Sequence, residues 1–149
     1  MTQHSTRLLR RLNPYCAQAL SAAATLCQTR AHGRISIEHW LLKLLEQGEG
    51  DLTLIARRYE WDMDALWRGL LDHLDTLGRS VQGKPQLCGQ LQQLIESAWL
   101  RASLDGNDNV RSVHLLGALL ENPHLLASDA VWPLLSLSQV QLQQLLTLL

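Results

Sequence analysis

Phenylalanine is missing from this 149-residue sequence, and tyrosine, methionine and lysine occur only twice each. Most of the apolar content, 46% of the chain, is therefore aliphatic, with five tryptophans as the large aromatics. No run of about 18 apolar residues could cross a bilayer, and the segment from Met1 to Thr6 has no apolar stretch of the kind a secretion signal needs. Cysteine is sparse and odd in number: Cys16, Cys27 and Cys88 fit neither a disulfide framework nor a C-x-x-C metal pair. Free, buried thiols and a cytoplasmic location are expected. Charge of one sign is lacking too. The formal net charge is −1, and the nearest thing to a basic cluster, Arg7, Arg10 and Arg11, reads as a solvated helix face. Neither nucleic acid nor membrane is expected as a partner.

Catalytic signatures are missing as well. There is no G-x-x-x-x-G-K-[ST] loop, no G-x-G-x-x-G turn and no serine in a nucleophile elbow. The acidic pairs Asp62/Asp64 and Asp105/Asp108 fall at helix starts or in a loop, where capping and solvation explain them. The expectation is a non-enzyme with no cofactor.

What the chain does have is leucine, alanine and glutamine at helical spacing, with no alternating β-branched stretch. A short helix is expected near Thr6 to Leu12. Asn13-Pro14 then supplies an N-cap and a first-turn proline for a second helix running to about Ala31. Ser36 is read as the cap of a third helix, Asp51 of a short fourth and Asp62 of a fifth. A linker, Gly78 to Pro85, separates these from a helix between Leu87 and Leu104, a second that follows the Asp105–Asn109 loop and ends at Asn122-Pro123, a short one near Leu125 to Val131, and a last one capped by Ser138.

The two series match. His39-Trp40-Leu41-Leu42-Lys43-Leu44-Leu45-Glu46 returns 75 residues later as His114-Leu115-Leu116-Gly117-Ala118-Leu119-Leu120-Glu121, the shared pattern being His-x-Leu-x-x-Leu-Leu-Glu. The same shift pairs Leu12 with Leu87, Ala19 with Leu94, Leu20 with Ile95, Ala23 with Ala98 and Ile35 with Val110. The expected fold is all-α: two four-helix repeats related by a pseudo-twofold axis, plus an extra N-terminal helix, neither half burying enough surface alone. The expected organisation is one domain over 1–149, divided into an extension at 1–13, repeat one at 14–78, a linker at 79–85 and repeat two at 86–149. Because symmetry duplicates packing groups far more readily than catalytic ones, His39 and His114 are read as structural, each half-buried with its ring bonded to a nearby loop carbonyl. Where the symmetry fails, at the helix before Pro14, Leu8, Leu9 and Leu12 either cap the core or edge a groove for a partner's amphipathic helix.

This doubled plan resembles the Clp N-terminal repeat domain, which precedes the ATPase rings of Hsp100/Clp unfoldases, over about Asn13 to Leu149. Leu12 to Leu20 with Ala22-Ala23, Arg34 to Leu41 and the helix before Pro14 are most similar to the N domain of the ClpV type, the ATPase of type VI secretion. The resemblance implies an adaptor domain without chemistry of its own. Its partner would be an N-terminal helix of the large sheath subunit (VipB, or TssC), docked in a hydrophobic groove so that the motor can dismantle contracted sheaths. ATP and Mg would belong to ATPase modules outside these residues, and a hexamer to the full-length protein. The implied groove lies between the start of the second helix and its repeat mate, beside the extension: Leu9, Leu12, Tyr15, Cys16, Ala19, Leu87, Gln90, Leu91 and Leu94. Two alternatives stand beside this. One is a ClpA/ClpB-like N domain receiving a degradation adaptor or unfolded segments. The other is a small metal or thiol enzyme built on Cys16, Cys88 and the histidines.

Overall fold

A computed structural model describes residues 7–46, 50–79, 85–128 and 135–146. It is all-helical apart from one two-residue strand pair, as in the expected fold class. A turn of helix at residues 7–9 precedes α1 (Pro14–Thr29). Then come β1 (Arg34–Ile35), α2 (Ile37–Glu46), α3 (Asp51–Arg58) and α4 (Met63–Asp75). The second series is β2 (Gln86–Leu87), α5 (Gly89–Leu104), α6 (Ser112–Glu121), a 3-10 turn at Pro123–Leu125 and α7 (Gln139–Leu146).

Local chemistry sets these boundaries. Asn13 caps α1, its side-chain oxygen accepting the Cys16 N–H at 2.9 Å, and Pro14 fills the first turn, where no N–H is needed. Seventy-five residues on, the Cys88 sulfur takes the Leu91 N–H at 3.4 Å, so α5 starts at Gly89 rather than at Leu87. Asp62 caps α4 through the Ala65 N–H, 3.0 Å. Ser138 and Gln141 cap each other's backbone at the head of α7, at 3.1 and 2.9 Å. Asp51 is different from its expected role: Gly50, at φ +89°, holds the cap position, and Asp51 points away into the other half. The short helix expected near Leu125 to Val131 is only the 3-10 turn as far as Ala127 and Ser128; residues 129–134 lie outside the described set, as do linker residues 80–84.

The pseudo-symmetry extends to hydrogen bonds that helical periodicity does not announce. Ile35 pairs with Leu87 in the parallel β1–β2 ladder, and its counterpart is the bridge between Leu12 and Val110. The Cys88 N–H donates to Ile35 O at 3.0 Å, as Asn13 N–H does to Val110 O at 2.9 Å. Each crossing ties the residues before one long helix to the loop after the other, so the halves interlock instead of merely stacking. A single core runs through both, including Cys16, Ala19, Ala23, Trp40, Leu70, Leu74, Leu91, Leu94 and Leu116.

Candidate functional site

An apolar furrow of about 360 Å³ opens where the β1–β2 crossing meets α1. Ala17, Leu20, Ser21 and Ala24 of α1 form one wall, Leu9 and Leu12 of the extension another, and Ile35, Pro85, Gln86 and Leu87 the floor and far edge. The wall follows from helical geometry. Positions 17, 21 and 24 recur at i, i+4 and i+7 on one stripe, and all three are small, so no side chain fills the space above the half-buried Leu9.

The structure separates the nine residues of the expected groove. Leu9, Leu12 and Leu87 line this furrow. Cys16, Ala19, Leu91 and Leu94 point the other way, into the core, at 1% exposure or less. Tyr15 is tied elsewhere: its hydroxyl donates to Leu44 O, and its ring occupies the space over Gly50 where a Cβ would sit. Gln90 is exposed on α5, outside the lining. The furrow is also lined by Ala17, Leu20, Ser21, Ala24, Ile35, Pro85 and Gln86, which the sequence reading did not place in its groove. The signal was the small-residue stripe, but α1 carries two such stripes. The one containing Ala19 and Ala23 packs inward.

The repeated histidines are helix caps, more buried than expected and bonded differently. His39 and His114 are 0% and 2% exposed. Each Nδ1 accepts a backbone N–H three residues upstream, from Ser36 at 3.0 Å and from Arg111 at 2.9 Å. A backbone N–H can only donate, so the neutral rings carry their hydrogen on Nε2. His39 Nε2 then donates to His32 Nδ1 at 2.9 Å, whereas among the described residues His114 Nε2 has no hydrogen-bond partner and lies 3.8 Å from Asp105 Oδ2.

Cys27, His32 and His39 put three possible ligand atoms within 4.8 Å of one another. Their bonding does not suit a metal. The Cys27 thiol donates toward the carbonyls of His32 and Arg34 at 3.1 and 3.2 Å, and burial pushes it up to about 11, in its protonated form. His39 would also have to give up its Nε2 hydrogen while Nδ1 already accepts. Burial, followed by the charge of Asp51, raises the Cys16 thiol to about 12. Neither Cys16 nor Cys27 is a ready nucleophile.

Burial, with His32, His73 and Arg30 acting in the same direction, pushes His39 down from 6.5 to about 4. The unfolded chain therefore binds more protons than the folded one between these values. Stability is full above about pH 6.5 and falls as pH drops through the window toward 4, by about 3 kcal/mol at most from this group. Urea denaturation at pH 7 and pH 4.5 should show that loss. His39→Gln, whose side-chain oxygen can still take the cap N–H, should flatten it. An equally steep pH profile in the variant would rule His39 out as its source.

A family model for the Clp repeat (R) N-terminal domain matches residues 11–132. Chaperone protein ClpB of Yersinia enterocolitica is 34% identical over 119 residues, 79% of this chain. The chain spans only 13% of the length of that relative. Among solved structures, the N-terminal domain of ClpV1 ATPase from the E. coli EAEC Sci1 type VI secretion system superposes with a TM-score of 0.95 at 63% identity, over 98% of this chain and 90% of that one. A structure described as a peptide from the EAEC Sci1 SciI protein gives 0.93 at 64% identity, over 96% and 91%. A complex of a ClpV N-domain with a VipB peptide gives 0.81 at 24% identity, over 97% and 88%, and shares the fold. Among the described residues, no helix is long and apolar enough to cross a membrane.

Proposed function

The chain belongs to the Clp repeat (R) N-terminal domain family, and from that membership we propose that it is the substrate-recognition domain of a ClpV-type AAA+ ATPase. Its ligand is an amphipathic helix from the N-terminus of the large type VI sheath subunit (VipB/TssC). The helix lays its apolar face in the furrow between α1, the extension and β2, and the attached motor then dismantles contracted sheaths. The single observation that carries this reading is the open apolar furrow of about 360 Å³, on a chain 63% identical to a ClpV1 N-domain. Helix-in-groove recognition needs such a surface: a wall of small residues, aliphatic edges and room for side chains spaced at i, i+3 and i+4. The SciI and VipB peptides found with similar domains support a peptide as the ligand class.

Titration calorimetry with the SciI peptide and a VipB N-terminal peptide tests the reading. Ala17→Asp is the informative variant, because Ala17 is exposed on the furrow wall and the charge costs the fold little. It should weaken binding at least tenfold, about 1.4 kcal/mol, with melting unchanged. Leu12→Asp would be a poorer choice, since Leu12 is 6% exposed and pairs with Val110. Equal affinity in a folded Ala17→Asp protein would remove the furrow as the site. The second reading, a ClpB-like domain taking unfolded segments, has the 34% identity to ClpB in its favour. It expects an unfolded model protein to compete with the SciI peptide.

A further inference from the structure

The pseudo-twofold axis repeats the α1 wall and the floor of the furrow on α5, while the Leu9 edge belongs to the extension, whose counterpart lies outside the described residues. The backbone framework is duplicated: the Ile35–Leu87 pair on one side has the Leu12–Val110 bridge on the other. Leu20, at the back of the furrow, corresponds to Ile95, buried at the same place on α5. Backbone and apolar floor are thus present in both copies.

Several lining positions differ between the copies, Ser21/Glu96 and Pro85/Arg10 among them, and three of them bear on the open space. Where the open furrow has Ala24, the second copy has Trp99, half-buried and packed against the core. Where it has Gln86, the second copy has Arg11, whose guanidinium lies over the Trp99 ring, 4.7 Å from the centroid. Where it has Ala17, the second copy has Gln92, whose side-chain amide donates to Leu87 O at 3.4 Å. The small wall of one furrow is therefore replaced in the other by an indole, a cation holding it down and an amide laid across. An Arg over a Trp face is an attractive contact, so the indole is held rather than left to swing.

We infer that Trp99, clamped by Arg11, plugs a second copy of the ligand furrow, making this symmetric domain a one-site receptor. The inference rests on the proposed helix-binding role of the open furrow. One site per domain gives a bound helix a single placement on the domain, where two would give it two placements related by the axis.

Calorimetry with the SciI peptide on four proteins separates the possibilities. The wild-type chain should bind one peptide. Ala24→Trp, which places the plug residue in the open furrow, should weaken binding at least a hundredfold. Trp99→Ala should raise the stoichiometry to two. The double variant Ala24→Trp/Trp99→Ala should return to one, with amide shifts moving from Ser21 and Leu20 to Glu96 and Ile95. If Trp99→Ala is poorly folded, Arg11→Gln/Trp99→Leu keeps an aliphatic contact with the core while opening the furrow, and the same count of two is expected. A stoichiometry of one in a folded Trp99 variant, with Ala24→Trp inactive, overturns the plug and leaves the proposed function standing. No binding to the wild-type chain overturns the proposed function instead.

Discussion

Trp40→Ala should lower the stability of the domain by about 4 kcal/mol, since truncating a buried tryptophan removes its transfer energy and leaves a cavity. Trp40 is 1% exposed and is the largest side chain among the fully buried residues. It sits one residue after the capping His39 on α2, and its indole N–H donates to Cys16 O at 3.1 Å, locking α2 onto the start of α1. The counterpart in the second half is Leu115, also buried, so the two repeats fill this position with side chains of different size. At about 2–4 °C per kcal/mol for a domain of this size, the midpoint should drop by roughly 8–16 °C. Trp40→Phe retains most of the volume and loses mainly the hydrogen bond, about 1 kcal/mol. The internal control is Trp67→Ala, since Trp67 is 42% exposed and should cost little. Urea denaturation followed by far-ultraviolet circular dichroism would decide the matter. Equal losses for Trp40→Ala and Trp67→Ala would mean that α2 does not anchor the first repeat.

The repeat made most of this architecture legible. A shift of 75 residues aligns caps, helices and buried positions, because packing groups must recur if the same unit is used twice. Asn13, Asp62 and Ser138 were readable as caps from chemistry local to three or four residues. What stayed hidden depends on contacts far apart in sequence. Two-residue ladders such as Ile35–Leu87 have no periodicity to detect. Asp51 looks like a cap by position, yet its acceptor geometry is used 62 residues away, at Val113. For the furrow, sequence reasoning found the extension edge at Leu9 and Leu12 and the far edge at Leu87, but chose the inward stripe of α1. Ala19 and Ala23 are both 0% exposed, whereas Ala17 and Ala24 line the open side. Alanine carries no hydrophobic contrast that tells one face of a helix from the other. Trp99 was equally silent: that it stands where Ala24 does is readable from the shift, but that an indole occupies a second furrow is not.

Asp51→Ala should cost about 3 kcal/mol, because it breaks a clamp between the halves whose members are largely withdrawn from water. Asp51 lies in the first turn of α3 and is 7% exposed. One carboxylate oxygen meets Arg111 Nη2 at 2.6 Å; the other accepts the Val113 N–H at 3.3 Å. The carboxylate therefore sits at the positive N-terminal end of α6, satisfying a donor that the helix itself cannot. The equivalent crossing on the other side runs with the roles exchanged: Glu38, at the position matching Val113, supplies the carboxylate and takes the N–H groups of Ala127 and Ser128 at 2.8 and 3.0 Å. Removing one member of a buried pair costs about 3–5 kcal/mol, and the lower end applies because the Arg111 side chain is 31% exposed. Asp51→Asn keeps an acceptor for Val113 and loses the charge, so it should fall about midway between wild type and alanine. Arg111→Ala should be milder than Asp51→Ala, since Arg111 is the more exposed partner. In a double-mutant cycle the pair should couple by about 1–2 kcal/mol, and 1 M salt should reduce that coupling only modestly at so sheltered a site. Denaturation midpoints for the four proteins supply every term. Strictly additive losses would show that Asp51 stabilises α6 through Val113 alone, and an Asp51→Ala midpoint within a degree of wild type would show that the ladders hold the halves together without the clamp.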